Sequence, residues 1–174
     1  MTELWDVLDE NGNKTGRLHE RGKPMLTGEF HLVVHVWIMN HKGEFLISKR
    51  TPNKSFPGQW EMTGGCAIVG DDSLSAALRE VREEIGVTLL PENGRSLMRL
   101  QRPHSEDPGW YYMDVWLFRQ DVDLSSVVLQ PGETCDAMWA DKSTINRMMD
   151  EGTFIGQDIF SYIEDLFAVC EECI

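Results

Sequence analysis

Positive charge is the first thing this chain lacks. Sixteen Lys and Arg stand against 29 Asp and Glu, a formal net charge of −13. Binding a nucleic-acid polymer depends on clustered cations that displace counterions, so that class of partner is excluded. A small polyanion is not excluded, because a metal ion and a few local bases can set the field inside a cleft. Long apolar runs are missing too: nothing approaches the roughly 18 residues that a membrane span needs. The segment Met1-Thr2-Glu3-Leu4-Trp5-Asp6 shows no basic stretch followed by an apolar one, so the expectation is a cytoplasmic protein with no membrane partner. Four cysteines, Cys66, Cys135, Cys170 and Cys173, are too few and too scattered for a disulfide framework. The lone Cys170-Glu171-Glu172-Cys173 run has no second pair to complete a zinc site, and reduced thiols are expected. Internal repeats and low-complexity linkers are also absent.

What is present suits one domain spanning residues 1–174, with 41% hydrophobic content to build its core. Its most informative stretch runs from Gly65 to Val87. Ser73, after Gly70-Asp71-Asp72, is the expected helix N-cap, and Gly86 supplies the left-handed residue that ends the helix. Leu74, Ala77, Leu78, Val81 and Ile85 recur at three- and four-residue intervals and make one buried stripe. On its flank Glu80, Glu83 and Glu84 fall at i, i+3 and i+4, where like charges repel by a few tenths of a kcal/mol per pair. A hard divalent cation reverses that sign. Mg²⁺ binds through a few carboxylates and keeps its other positions for water and phosphate oxygens, so the cluster suits a diphosphate substrate.

Gly65, Arg79, Glu80, Val81, Glu83, Glu84, Gly86 and Val87 are in register with the signature of the Nudix hydrolase superfamily, which this stretch resembles. Asp71 stands where that family usually has Glu, a carboxylate one methylene shorter. Six matched residues at fixed offsets would arise by accident with a probability on the order of 10⁻⁵. The resemblance implies an α/β (α+β) fold, an α/β/α sandwich around a mixed central sheet. It also implies a Mg²⁺-dependent hydrolase, with Mn²⁺ an alternative, that cleaves the diphosphate of a nucleoside diphosphate linked to another group. Glu80 and Glu84, one helical turn apart, are the best candidates for direct metal ligands, with Glu83 a third ligand or the base. Glu83, Glu84 and Arg79 form the catalytic set, Arg79 orienting the carboxylates. Asp71 would hold Arg79 from the other side, and Gly65 belongs to the loop against which the carboxylates sit.

Along the chain, Leu4–Leu8 and Lys14–Leu18 read as a hairpin around Asp9-Glu10-Asn11-Gly12-Asn13, completing an N-terminal unit of residues 1–28. Phe30–Met39 is the most convincing strand. Leu32, Val34, Val36 and Ile38 give it a purely aliphatic face, and His31, Val33, His35, Trp37 and Met39 a mixed face of the kind that lines a site. Glu44–Lys49 returns antiparallel, and Trp60–Thr63 reads as one short strand running into a Gly64-Gly65 loop. After the helix, Val87–Leu90, Ser96–Gln101, Trp110–Gln120 and Asp136–Ala140 read as strands. Asp141 caps a short helix to about Met149, and residues 155–172 read as a C-terminal amphipathic helix. Its exposed side could pair subunits into a homodimer or simply close the sandwich.

Candidates to hold a small phosphorylated substrate are Lys49, Arg50 and Lys54 before the box and Arg99, Arg102 and His104 after it. Trp60, Trp110, Tyr111 or Tyr112 could stack on a planar group, although aromatics in strands more often fill a core. Asp114, set among aromatics, is either a site residue or solvated at a sheet end. Of these, Arg50, Lys54, Trp60 and Asp114 are taken as the substrate-binding set. The base is open among Glu83, Glu106, Asp107, Asp114 and Glu133.

The N-terminal hairpin, the strand with His31 and the segment Lys49-Arg50-Thr51-Pro52-Asn53-Lys54 also look like the isopentenyl-diphosphate isomerase branch of the superfamily. That enzyme uses a cysteine in a Cys-Gly-His run before its box. Here the corresponding places hold Gly64, Gly65 and Cys66, which removes an acid and a metal ligand. An isomerase and a non-catalytic nucleotide-sensing domain are the two alternative readings. Three clustered carboxylates argue against mere sensing.

Overall fold

The computed structural model describes residues 2–103, 110–156 and 161–171. In chain order the strands and helices are β1 (Leu4–Leu8), β2 (Lys14–Glu20), β3 (Phe30–Met39), β4 (Phe45–Arg50), β5 (Trp60–Glu61), β6 (Thr63–Cys66), α1 (Ser73–Ile85), β7 (Gly94–Pro103), β8 (Trp110–Arg119), β9 (Thr134–Ala140), α2 (Lys142–Asp150) and α3 (Ile163–Glu171).

The sheet is built around β3. Along one edge β8 runs parallel to it over its full length, from Phe30 opposite Trp110 to Met39 opposite Arg119. β7 then pairs antiparallel with β8. On the other edge the β3–β4 hairpin is joined only at Met39 and Phe45, beside the Asn40–Gly43 turn, and its strands splay apart beyond that point. The ribbon of residues 60–66 fills the gap. β5 bonds to β4 through Trp60 and Glu61, and β6 bonds to Val33–Val36 of β3. The expected single strand Trp60–Thr63 is thus two strands broken at Met62, because its two halves serve different neighbours. Gly64 and Gly65 are strand residues rather than a loop.

Alternation along β3 sorts its side chains into two layers. Val34, Val36 and Ile38 pack under α1 with Ala76, Ala77, Val81 and Ile85. Trp37 and Met39 pack on the other side with Ile145 and Met148 of α2 and Ile163, Leu166 and Phe167 of α3. The sheet is therefore mixed and covered by helices on both faces, as expected. The mixed face of β3 is covered as well: His35 Nδ1 lies 2.7 Å from the Tyr162 hydroxyl, to which Trp37 Nε1 also donates. Each fully buried aliphatic side chain in these layers contributes about 1.5–3 kcal/mol.

Other boundaries differ for local reasons. Asp72, not Ser73, caps α1: its carboxylate accepts from Ser75 N at 2.7 Å while Ser75 Oγ accepts from Asp72 N, a reciprocal box that Ser73 does not form. Ser73 instead accepts a bond from Trp116 Nε1. Val87–Leu90 forms no strand; Val87 and Leu89 tuck into the α1 layer as the chain enters a single 3-10 turn, Pro91–Asn93. β2 extends past Leu18 to Glu20. The C-terminal helix begins at Ile163 rather than 155, because Phe154 bridges to Trp60 and Ile155 N donates to the Trp60 carbonyl, holding that segment in extended form. Cys173 lies outside the described residues, and among them no helix is long and apolar enough to cross a membrane.

The capping box is a direct test of what starts the helix. Asp72→Ala should lower stability by about 1 kcal/mol in urea unfolding, and Ser73→Ala should cost less. The reverse order would mean that the cap is misassigned.

Candidate active site

The flank of α1 that carries Glu80, Glu83 and Glu84 faces the glycine segment of β6, and the fit leaves no space for side chains there. A Cβ on Gly65 would come within 2.5 Å of the Glu80 carboxylate, and one on Gly64 within 2.5 Å of the Val34 carbonyl. The far end of the helix is fixed by a loop from residues 127–134. Gly86 turns the chain at φ 70°, Val128 N donates to the Ile85 carbonyl, and Gln130 N and Thr134 Oγ1 both donate to the Glu84 carbonyl. That loop carries Gln130 and Glu133 to the carboxylates.

Arg79 organises the group. Its Nε and Nη2 donate to Asp71 Oδ2 at 3.0 and 2.9 Å, Nη2 also to the Cys66 carbonyl at 2.9 Å, and Nη1 to Glu80 Oε1 at 2.9 Å and Glu83 Oε2 at 3.1 Å. Five bonds match the five N–H donors of a guanidinium. Asp71, despite its shorter side chain, reaches the arginine. It can do so because the N-terminal hairpin draws its loop inward: Lys14 Nζ donates to the Asp71 carbonyl and pairs with Asp6, Gly70 N donates to Asp6, and Val69 N donates to the Leu4 carbonyl.

The cleft holds about 220 Å³ and is lined by Glu3, Arg21, Lys54, Gly64, Gly65, Cys66, Arg79, Glu80, Glu83, Glu84, Gln130 and Glu133. Five acids and three bases leave an excess of two negative charges, which one divalent cation would neutralise. The electrostatics show the strain of their proximity. Burial, then Glu61 and Glu80, pushes the Glu84 carboxyl well above the ordinary carboxylate range, against the opposing bond from Gly64 N–H. Burial likewise raises Glu80 despite Arg79. Burial pushes the Cys66 thiol up to about 12, which leaves it protonated and unreactive as a nucleophile.

Among the described residues no three His, Cys, Asp or Glu form a ready-made cage for a metal ion. The donor set nevertheless fits a hard cation. Among the described residues Glu84 Oε2 is buried with no hydrogen-bond partner, a cost of about 1–3 kcal/mol or more for a charged group. Glu80 is pressed on a glycine, and Glu83 is half exposed and held through Arg79. All three carry oxygen ligands of the kind Mg²⁺ and Mn²⁺ take.

The other sequence candidates divide. Lys54 lines this cleft and pairs with Glu133. Arg50 lines an adjacent pocket behind Gly64-Gly65, bound to Glu61 at 2.6 and 2.8 Å and to Ser55. Trp60 is packed against the α3 layer with Lys49 over its ring, and does not line the cleft. Asp114 is not a solvated strand end: it is buried and doubly bonded to Arg99 across β7 and β8, away from the carboxylates. Of the candidate bases only Glu83 and Glu133 line the cleft; Glu106 and Asp107, with His104 of the same loop, lie outside the described residues. Sequence reading missed Glu3, Arg21 and Gln130, which carry no local signal and reach the cleft through hairpin and loop geometry.

Comparison with known proteins places the chain in a family. Residues 29–155 match the family model for the NUDIX domain. An uncharacterized Nudix hydrolase of Listeria monocytogenes is 38% identical over 155 residues, 88% of each chain. The isopentenyl-diphosphate Delta-isomerase of Escherichia coli is 27% identical over 153 residues, 86% of this chain and 83% of the other. Among solved structures, DR0079 of Deinococcus radiodurans superposes with a TM-score of 0.72 at 22% identity, over 94% of this chain and 98% of that one. A bifunctional NMN adenylyltransferase/ADP ribose pyrophosphatase of Francisella tularensis, complexed with AMP and a Mn ion, gives a TM-score of 0.63 at 20% identity, over 80% and 42% of the respective chains.

The raised Glu84 carboxyl has a measurable consequence. A folded-state pKa above the unfolded value means that the native chain binds more protons in that window, so stability falls as pH rises through it. Glu84→Gln should therefore raise the Tm of metal-free protein at pH 8, by about 2–4 °C for each kcal/mol relieved at this chain size. The gain should vanish near pH 4, and added Mg²⁺ should stabilise the wild type but not the variant. An unchanged or lower Tm at pH 8 would contradict the reading of Glu84 as a strained, cation-seeking carboxylate.

Proposed function

The chain belongs to the Nudix hydrolase family, and on that premise we propose that it is a divalent-cation-dependent pyrophosphohydrolase acting on a nucleoside diphosphate derivative or a similar small diphosphate. The observation that carries this reading is the buried, unpartnered Glu84 oxygen beside Glu80, in a cleft whose arginine is fully engaged in holding carboxylates. Glu80, Glu83 and Glu84 would hold Mg²⁺ or Mn²⁺, which supplies charge neutralisation on the diphosphate and activation of water.

The protein's own residues supply positioning and proton handling. Arg79, with its donors used on Asp71, the Cys66 carbonyl, Glu80 and Glu83, is a positioning residue. Lys54 presents a cation at the cleft for the phosphates. Water adds to one phosphorus, the bridging P–O bond breaks, and a carboxylate on the cleft wall takes the water's proton. Glu133, paired with Lys54, is a candidate for that role, as is Glu83, half exposed, if it does not serve as the third ligand. Phosphoryl transfer of this kind asks for little beyond such alignment and charge compensation.

The isomerase-like relative motivates a second reading, and Gly64 counts against it. The position corresponding to the isomerase cysteine has no room for a side chain under the Val34 carbonyl, and the Cys66 thiol, two residues further on, is pushed up to about 12. A panel of nucleoside di- and triphosphates, nucleotide sugars, ADP-ribose, dinucleoside polyphosphates and isopentenyl diphosphate separates the readings. Mg²⁺-dependent cleavage of a panel member, abolished by chelator, is expected. Conversion of isopentenyl diphosphate to dimethylallyl diphosphate without cleavage would replace the hydrolase assignment. For the cleaved substrate, Glu84→Gln should lower kcat/KM by at least about 10²-fold, on the scale of losing one preorganised electrostatic contact. Activity near wild type would remove Glu84 from the metal-binding role.

A further inference from the structure

Two residues that line the cleft, Glu3 and Arg21, precede the span matched by the family model, which begins at residue 29. They come from the open end of the β1–β2 hairpin, where Arg21 N donates to the Glu3 carbonyl and Arg21 Nη1 to Glu3 Oε2 at 2.9 Å. The carboxylate of Glu3 is itself fixed by Trp5 Nε1 at 2.7 Å. Burial works against its charge, but the bonds from Trp5 and Arg21 hold Glu3 below the ordinary carboxylate range, so it stays ionised as a tether. The Arg21 side chain remains more than half exposed, and its charge is felt across the cleft by Cys66 and shares the field of Glu133.

Among the described residues three cations line the cleft, and Arg79 has no donor left for a ligand. A diphosphate that brings its own negative charge to five acids needs fixed cations beside any metal. Arg21 and Lys54 are the two that line the cleft outside the box helix. Arg21 is the stronger candidate for recognition, since a tethered planar guanidinium can offer paired N–H groups to phosphate oxygens and loses little entropy in doing so. We propose that Arg21, held by Glu3 and Trp5 on the N-terminal hairpin, is a phosphate-binding residue that clamps the substrate diphosphate opposite Lys54. The hairpin is then part of the binding site as well as a brace for the box loop. This deepens the hydrolase reading and rests on it for the class of ligand.

The test uses methylenediphosphonate, a diphosphate analogue whose carbon bridge cannot be hydrolysed, titrated calorimetrically into the protein of residues 1–174 with saturating Mg²⁺. Arg21→Gln should weaken binding at least tenfold, and Arg21→Lys, which keeps the charge but loses the fork, should recover part of it. Mg²⁺ affinity in the absence of diphosphonate should stay within twofold in both variants. On a cleaved substrate the loss should fall mainly on KM. Diphosphonate binding by Arg21→Gln within twofold of wild type overturns the clamp, as does a wild type that binds none. If Arg21→Gln proves unfolded by circular dichroism, Arg21→Lys decides alone: affinity equal to wild type sinks the paired-donor geometry. Cleavage of no panel member with intact, Arg21-dependent diphosphonate binding would defeat the hydrolase reading and leave the clamp standing.

Discussion

A single guanidinium, that of Arg79, holds this site together. It is bonded to Asp71 on the loop before the helix, to the Cys66 carbonyl at the end of β6, and to Glu80 and Glu83 on its own helix. Three consecutive segments, the end of β6, the loop after it and α1, are thereby fixed to one another around a patch of excess negative charge. The arrangement is partly buried, so removing Arg79 would leave Asp71 and Glu80 uncompensated, at a cost of up to about 3–5 kcal/mol. The same economy of donors explains what Arg79 does not do. With every N–H used on the protein it has no donor left for a phosphate.

The surrounding fold serves that arrangement. The splayed β3–β4 hairpin makes room for a ribbon of residues 60–66, and the ribbon brings two glycines to the face of α1. Glycine is demanded there by contact, not by backbone angle: Gly64 lies under a carbonyl and Gly65 under a carboxylate. The hairpin β1–β2 ties down the Asp71 loop through Asp6, Lys14 and Leu4, and its other end reaches the rim through Glu3 and Arg21. It is therefore coupled to both the shape and the charge of the cleft.

Much of this was legible in the sequence, for physical reasons that can be named. The strand Phe30–Met39 was visible because both its faces are buried and alternate cleanly. The helix Ser73–Ile85 was visible because its apolar stripe and its C-terminal glycine agree. Its N-cap was placed one residue late, since Asp72 and Ser73 are equally good caps by composition and only Ser75 decides between them through the reciprocal bond. Residues 60–66 were read as one strand and a loop because local pattern cannot show that two halves pair with different strands. Asp114 looked like a site residue because its partner, Arg99, is a cross-strand neighbour that only the register reveals. Arg21 carried no signal, as it enters the cleft through the geometry of a hairpin far from the box.

If the strained carboxylates around Glu84 serve to take a divalent cation, calorimetric titration of Mg²⁺ into metal-free protein will register it. Run in buffers of different ionisation enthalpy, the titration also counts protons. Saturable binding is expected, with proton release that is larger at pH 6 than at pH 9, because the cation displaces protons from carboxyls whose affinity for them burial has raised. No saturable binding at millimolar Mg²⁺ or Mn²⁺, or binding with no release of protons at either pH, would contradict it.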